Sequence, residues 1–268
     1  MGKDVIVACD FSSAEATFAF LDKFAGCDRK PFLKIGMELY YAEGPSIVKE
    51  IKARGHKIFL DLKLHDIPNT DKVAFDIAGA GYNLCIVNTG GNHADLTDDY
   101  ASVPAEMKAV AAHFGKAVLR DVDENGFVAE IPALREELGD RAILRALHFF
   151  AENKRVATQK AALLAGDLNA FFAEVLASGK SSFCYLQNVY TAKNLSEQGL
   201  SLALCLAEKY LSTKSGAWRV HGGGFAGTIQ AYVSMDEVDG FKALMDGVFG
   251  EGKCIVLRIR PEGAVKIA

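Results

Sequence analysis

Asp61 and Lys63 stand two residues apart in the apolar run Ile58-Phe59-Leu60-Asp61-Leu62-Lys63-Leu64, and residues two apart on a strand share a face. The run closes on His65 and Asp66. Two earlier apolar runs also carry charge at or near their ends: Val5–Cys9 stops at Asp10, and Phe32–Ile35 contains Lys34. One Asp/Lys pair in an apolar strand is ordinarily structural, but charges ending three successive runs form a stronger pattern. At the C-terminal ends of parallel barrel strands such groups do chemistry. A lysine held charged among carboxylates can neutralise a developing carbanion and then protonate it, while a crowded carboxylate disfavours a substrate anion beside it. That is decarboxylation without a cofactor.

A second pattern is Val220-His221-Gly222-Gly223-Gly224-Phe225-Ala226-Gly227-Thr228, a glycine loop between two apolar runs. Its glycines permit positive φ and close backbone approach, which suits an anion or a tightly packed neighbouring loop. A plain hairpin turn uses the same residues. Gly179-Lys180-Ser181-Ser182-Phe183 lacks the spacing of a P-loop and reads as a turn. The six cysteines form no CxxC pair and no zinc-ligand spacing, so no metal site is expected and buried reduced thiols are the simplest reading.

These groups need elements to hold them. Up to residue 62 strand and helix alternate: strands at Val5–Cys9, Phe32–Ile35 and Lys57–Leu62, helices at 14–24 and 44–54. Short connections between such elements imply parallel pairing, the opening of an α/β sheet or barrel. After residue 80 the rhythm changes. A strand at Leu84–Val87 precedes helices at 105–114, 131–138, 141–165, 168–177 and 196–211. Two strands (217–220, 229–233) then flank the glycine loop, and a helix (236–249) and a strand (255–259) follow. The fold class expected is α/β plus α+β: a partial βαβαβ barrel start, then helices with a ferredoxin-like antiparallel sheet.

The composition is that of an ordinary globular chain, 268 residues with 50% hydrophobic and 24% charged. The net charge of −4 leaves no basic surplus for phosphate neutralisation, so nucleic acid is not an expected partner. The opening Met1–Phe11 reads as a strand rather than a signal peptide, and no stretch has the apolar length of a membrane span, so a cytoplasmic setting and no membrane contact are expected.

Residues 4–70 resemble orotidine 5′-phosphate decarboxylase. The matching pieces are Val7-Ala8-Cys9-Asp10, Phe32-Leu33-Lys34-Ile35-Gly36-Met37-Glu38 and Phe59-Leu60-Asp61-Leu62-Lys63-Leu64-His65-Asp66-Ile67-Pro68-Asn69-Thr70. The resemblance implies that Lys34, Asp61, Lys63 and Asp66 form the family's charged network, that Lys63 donates the proton, and that Asp10 and Lys34 contact the ribose. It implies orotidine monophosphate as substrate and no cofactor. It also implies a dimeric eight-stranded barrel, of which three strands are assignable here. The arginine and glycine-rich turn that grip the substrate phosphate in that family have no counterpart in the sequence.

From about Gly81 the chain resembles the C-terminal half of galactokinase, a GHMP-family small-molecule kinase. The carriers are Cys85–Tyr100, Arg145–Arg155, Gly216–His221 running into the glycine loop, and Val256–Pro261. The resemblance implies that Tyr100 contacts galactose. It makes Gly222, Gly223, Gly224 and Gly227 part of the motif that packs against the nucleotide-phosphate loop, with His148, Trp218 and His221 as packing residues. ATP and Mg are implied, yet the serine-rich loop that wraps ATP phosphates has no counterpart. Residues 1–70 thus form one expected domain, 81–268 another, with a helix-like seam at 71–80. Asp61 could stand in for the kinase's catalytic aspartate, which lies shortly before the Cys85 strand. Open strand edges predict self-association.

Overall fold

The computed structural model describes residues 6–9, 11, 13–27, 30–36, 39–40, 43, 45–61, 75–91, 96–225 and 227–257. The chain divides into two compact units, Met1–Asp66 and Ile67–Ala268.

In the first unit, β1 (Ile6–Cys9), β2 (Phe32–Gly36) and β3 (Ile58–Asp61) form a parallel sheet in that order. Between them lie α1 (Ala14–Asp22) and α2 (Pro45–Ala53). Ser13 caps α1, its hydroxyl accepting from the Ala16 amide at 3.2 Å, with Glu15 placed favourably in the first turn. Strand alternation sends Cys9, Leu33 and Ile35 into a core with Leu21 of α1 and Ile47 and Ile51 of α2. The opposite face is open: Ile6 is 54% and Phe59 50% exposed. Both helices therefore pack on one side of the sheet, and among the described residues β1 and β3 are its edges.

Among the described residues of the second unit, turns over 77–81 precede its first strand, and the Asp76 carboxylate accepts from the Gly79 amide. The helix-like reading of the seam fails over this part, and residues 71–74 lie outside the described ones. β4 (Tyr82–Asn88), β5 (Gly216–His221), β6 (Thr228–Ser234) and β7 (Cys254–Leu257) make an antiparallel sheet ordered β5-β6-β4-β7. On one face Cys85, Val87, Ile229, Ala231 and Val233 meet α7 (Gly199–Leu211) and α8 (Val238–Phe249). On the other, Ala217 and Tyr232 meet Phe171, Phe172 and Val175 of α6 (Leu168–Ser181). A helical cluster joins α3 (Thr97–His113), α4 (Glu124–Leu138) and α5 (Asp140–Ala165) around Phe127, Leu134 and Ala146.

Several expected boundaries shift. The two helices read as starting at 105 and 131 begin at Thr97 and Glu124 and run through Pro104 and Pro132. A proline discourages a helical reading of what precedes it. Here packing prevails: Val103 and Phe127, both ahead of a proline, are core residues. Nor is Gly179–Phe183 a turn. It finishes α6 and enters a π-helical segment, Ser182–Leu186.

Candidate functional site

Asp10, Lys63 and Asp66 lie outside the described residues. Lys34 is the third of five residues in β2, not its end, and alternates with buried Leu33 and Ile35. In register, Lys34 pairs with Phe59 and Gly36 with Asp61. Positions 34, 59 and 61 therefore share one face of the sheet, the open face opposite α1 and α2. Asp61 is in the parallel sheet and β4 in the antiparallel one, so Asp61 is on no strand neighbouring Cys85.

The glycine loop is fixed from three sides. Tyr100, in the first turns of α3, donates its hydroxyl to the Gly224 carbonyl at 2.7 Å. Its ring stands edge-on to Phe225 with centroids 5.3 Å apart. A Cβ on Gly223 would come within 2.8 Å of the same ring. Burial, with the Asp99 charge as a smaller cause, raises the Tyr100 phenol above its ordinary value. On the second side, Asn188 donates its side-chain amide to the Gly223 carbonyl at 3.1 Å, and its own carbonyl accepts from the Phe225 amide. A Cβ on Gly224, at φ +81°, would overlap that carbonyl, so only glycine fits. Third, the Thr89 amide and hydroxyl both donate to the Gly227 carbonyl, each at 2.9 Å.

Asn188 is a residue that the sequence reading missed. It is 1% exposed, and among the described residues its side-chain oxygen has no hydrogen-bond partner. The described non-glycine residues with positive φ are Gln187 and Phe225, and both belong to this junction. Strained backbone of this kind persists where surrounding contacts over-determine it. Arg145, 2% exposed, holds the approach: its guanidinium donates to the Leu186 carbonyl at 3.2 Å and to Ser102 and Glu106 at 2.8 Å each.

Beside the loop opens a cleft of about 700 Å³, bounded by Thr89–Gly91, Thr191, Gln198 and Phe225. The Lys193 ammonium lies 3.1 Å from Asp98 and 3.8 Å from Asp99, so its charge is matched at the cleft wall. Behind the sheet, His148 is buried and bonds Ser181 through Nδ1 at 2.9 Å. Burial pushes its pKa down to about 4, with Arg155 and Arg219 adding to the effect and Glu152 opposing it. Burial works to raise the neighbouring Glu152 carboxyl, but Ser178, Arg219 and Arg155 hold it below its ordinary value. His148 and partly buried Trp218 are packing residues, as expected. His221 is exposed and meets Gln230 instead.

The thiols divide evenly. Cys9, Cys85 and Cys254 are buried as expected, whereas Cys27, Cys184 and Cys205 are exposed. Among the described residues, no three His, Cys, Asp or Glu side chains gather as a metal site, and no helix is long and apolar enough to cross a membrane.

Comparison with known proteins divides the chain in two. Residues 3–97 match the orotidine 5′-phosphate decarboxylase / HUMPS family model, a span that includes the seam and β4. Orotidine 5′-phosphate decarboxylase of Lactiplantibacillus plantarum is 50% identical over 98 residues, 36% of this chain and 41% of that protein. That of Fusobacterium nucleatum is 63% identical over 70 residues, 26% of this chain and 29% of that protein. The chain thus spans less than half the length of these curated relatives. Among solved structures, Lactococcus lactis galactokinase complexed with galactose superposes with a TM-score of 0.52 at 24% identity, covering 66% of this chain and 45% of that one. The chain therefore combines an opening segment similar in sequence to one enzyme family with a larger part that has the fold of another.

Proposed function

We propose that the chain is a galactokinase-like, ATP-dependent sugar-phosphotransferase fragment that keeps the tyrosine expected to contact galactose and turns over slowly or not at all. The observation that carries this is the glycine loop locked by Tyr100, in a part of the chain with galactokinase fold. On this reading galactose binds beside Tyr100 and the loop of Gly222, Gly223, Gly224 and Gly227, and Phe225 joins that loop to the cleft lined by Thr89–Gly91. The serine-rich loop that wraps ATP phosphates has no counterpart in the sequence, the Phe225 amide of the glycine loop is spent on the Asn188 carbonyl, and among the described residues no acidic cluster offers metal ligands. Phosphoryl transfer depends on phosphate positioning and metal clamping, so low turnover follows. The test is a side-by-side assay of galactose 1-phosphate formation from galactose and ATP. A rate orders of magnitude below that of an intact galactokinase is expected, and a matching rate would overturn the proposal.

A second reading, an orotidine 5′-phosphate decarboxylase, is favoured by the match over residues 3–97. It assigns Lys34, Asp61, Lys63 and Asp66 to the charged network, with Lys63 as proton donor, Asp10 and Lys34 on the ribose, and no cofactor. The face shared by positions 34, 59 and 61 would be the barrel interior, exposed because three strands do not close a barrel. On this reading uridine monophosphate raises the melting temperature and Lys63→Ala abolishes the shift. Silence toward both galactose and the nucleotide leaves a third reading, a non-enzymatic fusion remnant. We place the seam between residues 70 and 81, after the decarboxylase-like motif that ends at Thr70 and before antiparallel β4.

A further inference from the structure

We propose that the cleft between the end of α6, the start of the π-helical segment and α7 is a covalent binding site for an apolar, uncharged soft electrophile, with Cys184 and Cys205 as nucleophiles. The cleft has a volume of about 590 Å³, and Leu176, Phe183, Leu204 and Trp218 give it apolar walls. That volume is within the range of small-molecule sites. Both thiols are exposed and both line this one cleft, from different elements: Cys184 from the π-helical segment, Cys205 from α7. Gly179 lets α6 lie against β5, since a Cβ there would approach the Trp218 carbonyl to 3.1 Å, and this brings the indole-bearing strand to the cleft floor. The charged members of the lining are Lys180 and Glu208, one of each sign, so the cleft has no net preference for an ion.

The chemistry that suits such a lining is conjugate addition to an α,β-unsaturated carbonyl compound bearing an apolar group. The thiol gives its proton to water, and the sulfur lone pair forms the bond to the β-carbon. The displaced π pair becomes an enolate, whose oxygen the Lys180 ammonium can receive, and the α-carbon then takes a proton from water. Nothing leaves and nothing is oxidised. The thiolate is the attacking species and apolar walls concentrate the partner, so affinity and reactivity come from the same cleft. Cys184 lies three residues before Gln187, and the segment that bears it runs directly into Asn188, the residue that clasps the glycine loop. The site stands independently of either enzymatic reading.

Cys27, exposed in the other unit, is the internal reference. The full chain is trace-labelled with N-phenylmaleimide or with its sulfonated counterpart, and adducts at each cysteine are counted by peptide mass spectrometry. The apolar reagent is expected to favour Cys184 and Cys205 over Cys27 by about tenfold more than the sulfonated one does, the ratio that ~1.4 kcal/mol of cleft binding gives. Enhancement at either thiol supports the site and identifies its nucleophile. Equal partition of the two reagents over all three thiols overturns it. Trp218 is the sole tryptophan, so adduct formation should change its emission in step with labelling; unchanged emission at full labelling also overturns the proposal.

Discussion

Asn188 has the widest reach of any single residue in the larger unit. Its side chain and carbonyl hold two consecutive parts of a loop 35 positions away. Asn188→Ala removes a bond to a partly buried carbonyl and should cost about 0.5–1.5 kcal/mol, read from urea unfolding. Amide exchange should accelerate at 222–225 before it does in α3. No spacing in the sequence points to this residue, because its partner is distant and the asparagine resembles any polar loop position. The glycines were legible, because repeated glycine betrays a close approach even without coordinates, whereas Tyr100 stood out only through the resemblance to galactokinase, as a sugar contact and not as the partner of the loop. His148 gives a pH signature at the same scale. Its pKa falls from 6.5 to about 4 on folding, so the native state resists the proton that the unfolded chain accepts. That stabilisation is complete above pH 6.5 and is lost progressively as pH falls toward 4, by at most about 3 kcal/mol. Denaturation midpoints measured across that window should drop for the wild type, and more shallowly for His148→Gln.

At the scale of elements, hydrophobic periodicity located most strands and helices, because each presents one clear apolar stripe to a core. It failed where two signals conflicted. Pro104 and Pro132 hid the first turns of α3 and α4, and the small polar residues of Gly179–Phe183 hid a helix end that His148 and Trp218 cover in three dimensions. Lys34 was legible as an unusual charge but not as a mid-strand residue, because strand ends are set by pairing with neighbours. The change from parallel to antiparallel pairing after β3 was legible as a change of rhythm. That Asp61 and β4 fall in separate sheets was not, since one apolar run resembles another. The open face of the first sheet yields its own prediction. Phe59 is half exposed on an edge strand, so Phe59→Lys should lower the sedimentation-derived association of the full chain, by removing apolar area and adding an edge charge. An unchanged distribution would show that this face plays no part in association.

At the scale of the molecule, residues 3–97 are similar in sequence to orotidine 5′-phosphate decarboxylases, a larger part of the chain has the fold of galactokinase, and the chain spans under half the length of the relatives compared. A reacting centre without a phosphate anchor lacks the remote binding energy that drives chemistry, so ligand recognition is the property expected to outlast turnover. Calorimetric titration of the full chain with galactose asks this most directly. The account predicts saturable binding that Tyr100→Phe weakens by about tenfold, the equivalent of one lost hydrogen bond in a partly buried site. No binding heat at any accessible sugar concentration, or binding that ignores the loss of the Tyr100 hydroxyl, would contradict it.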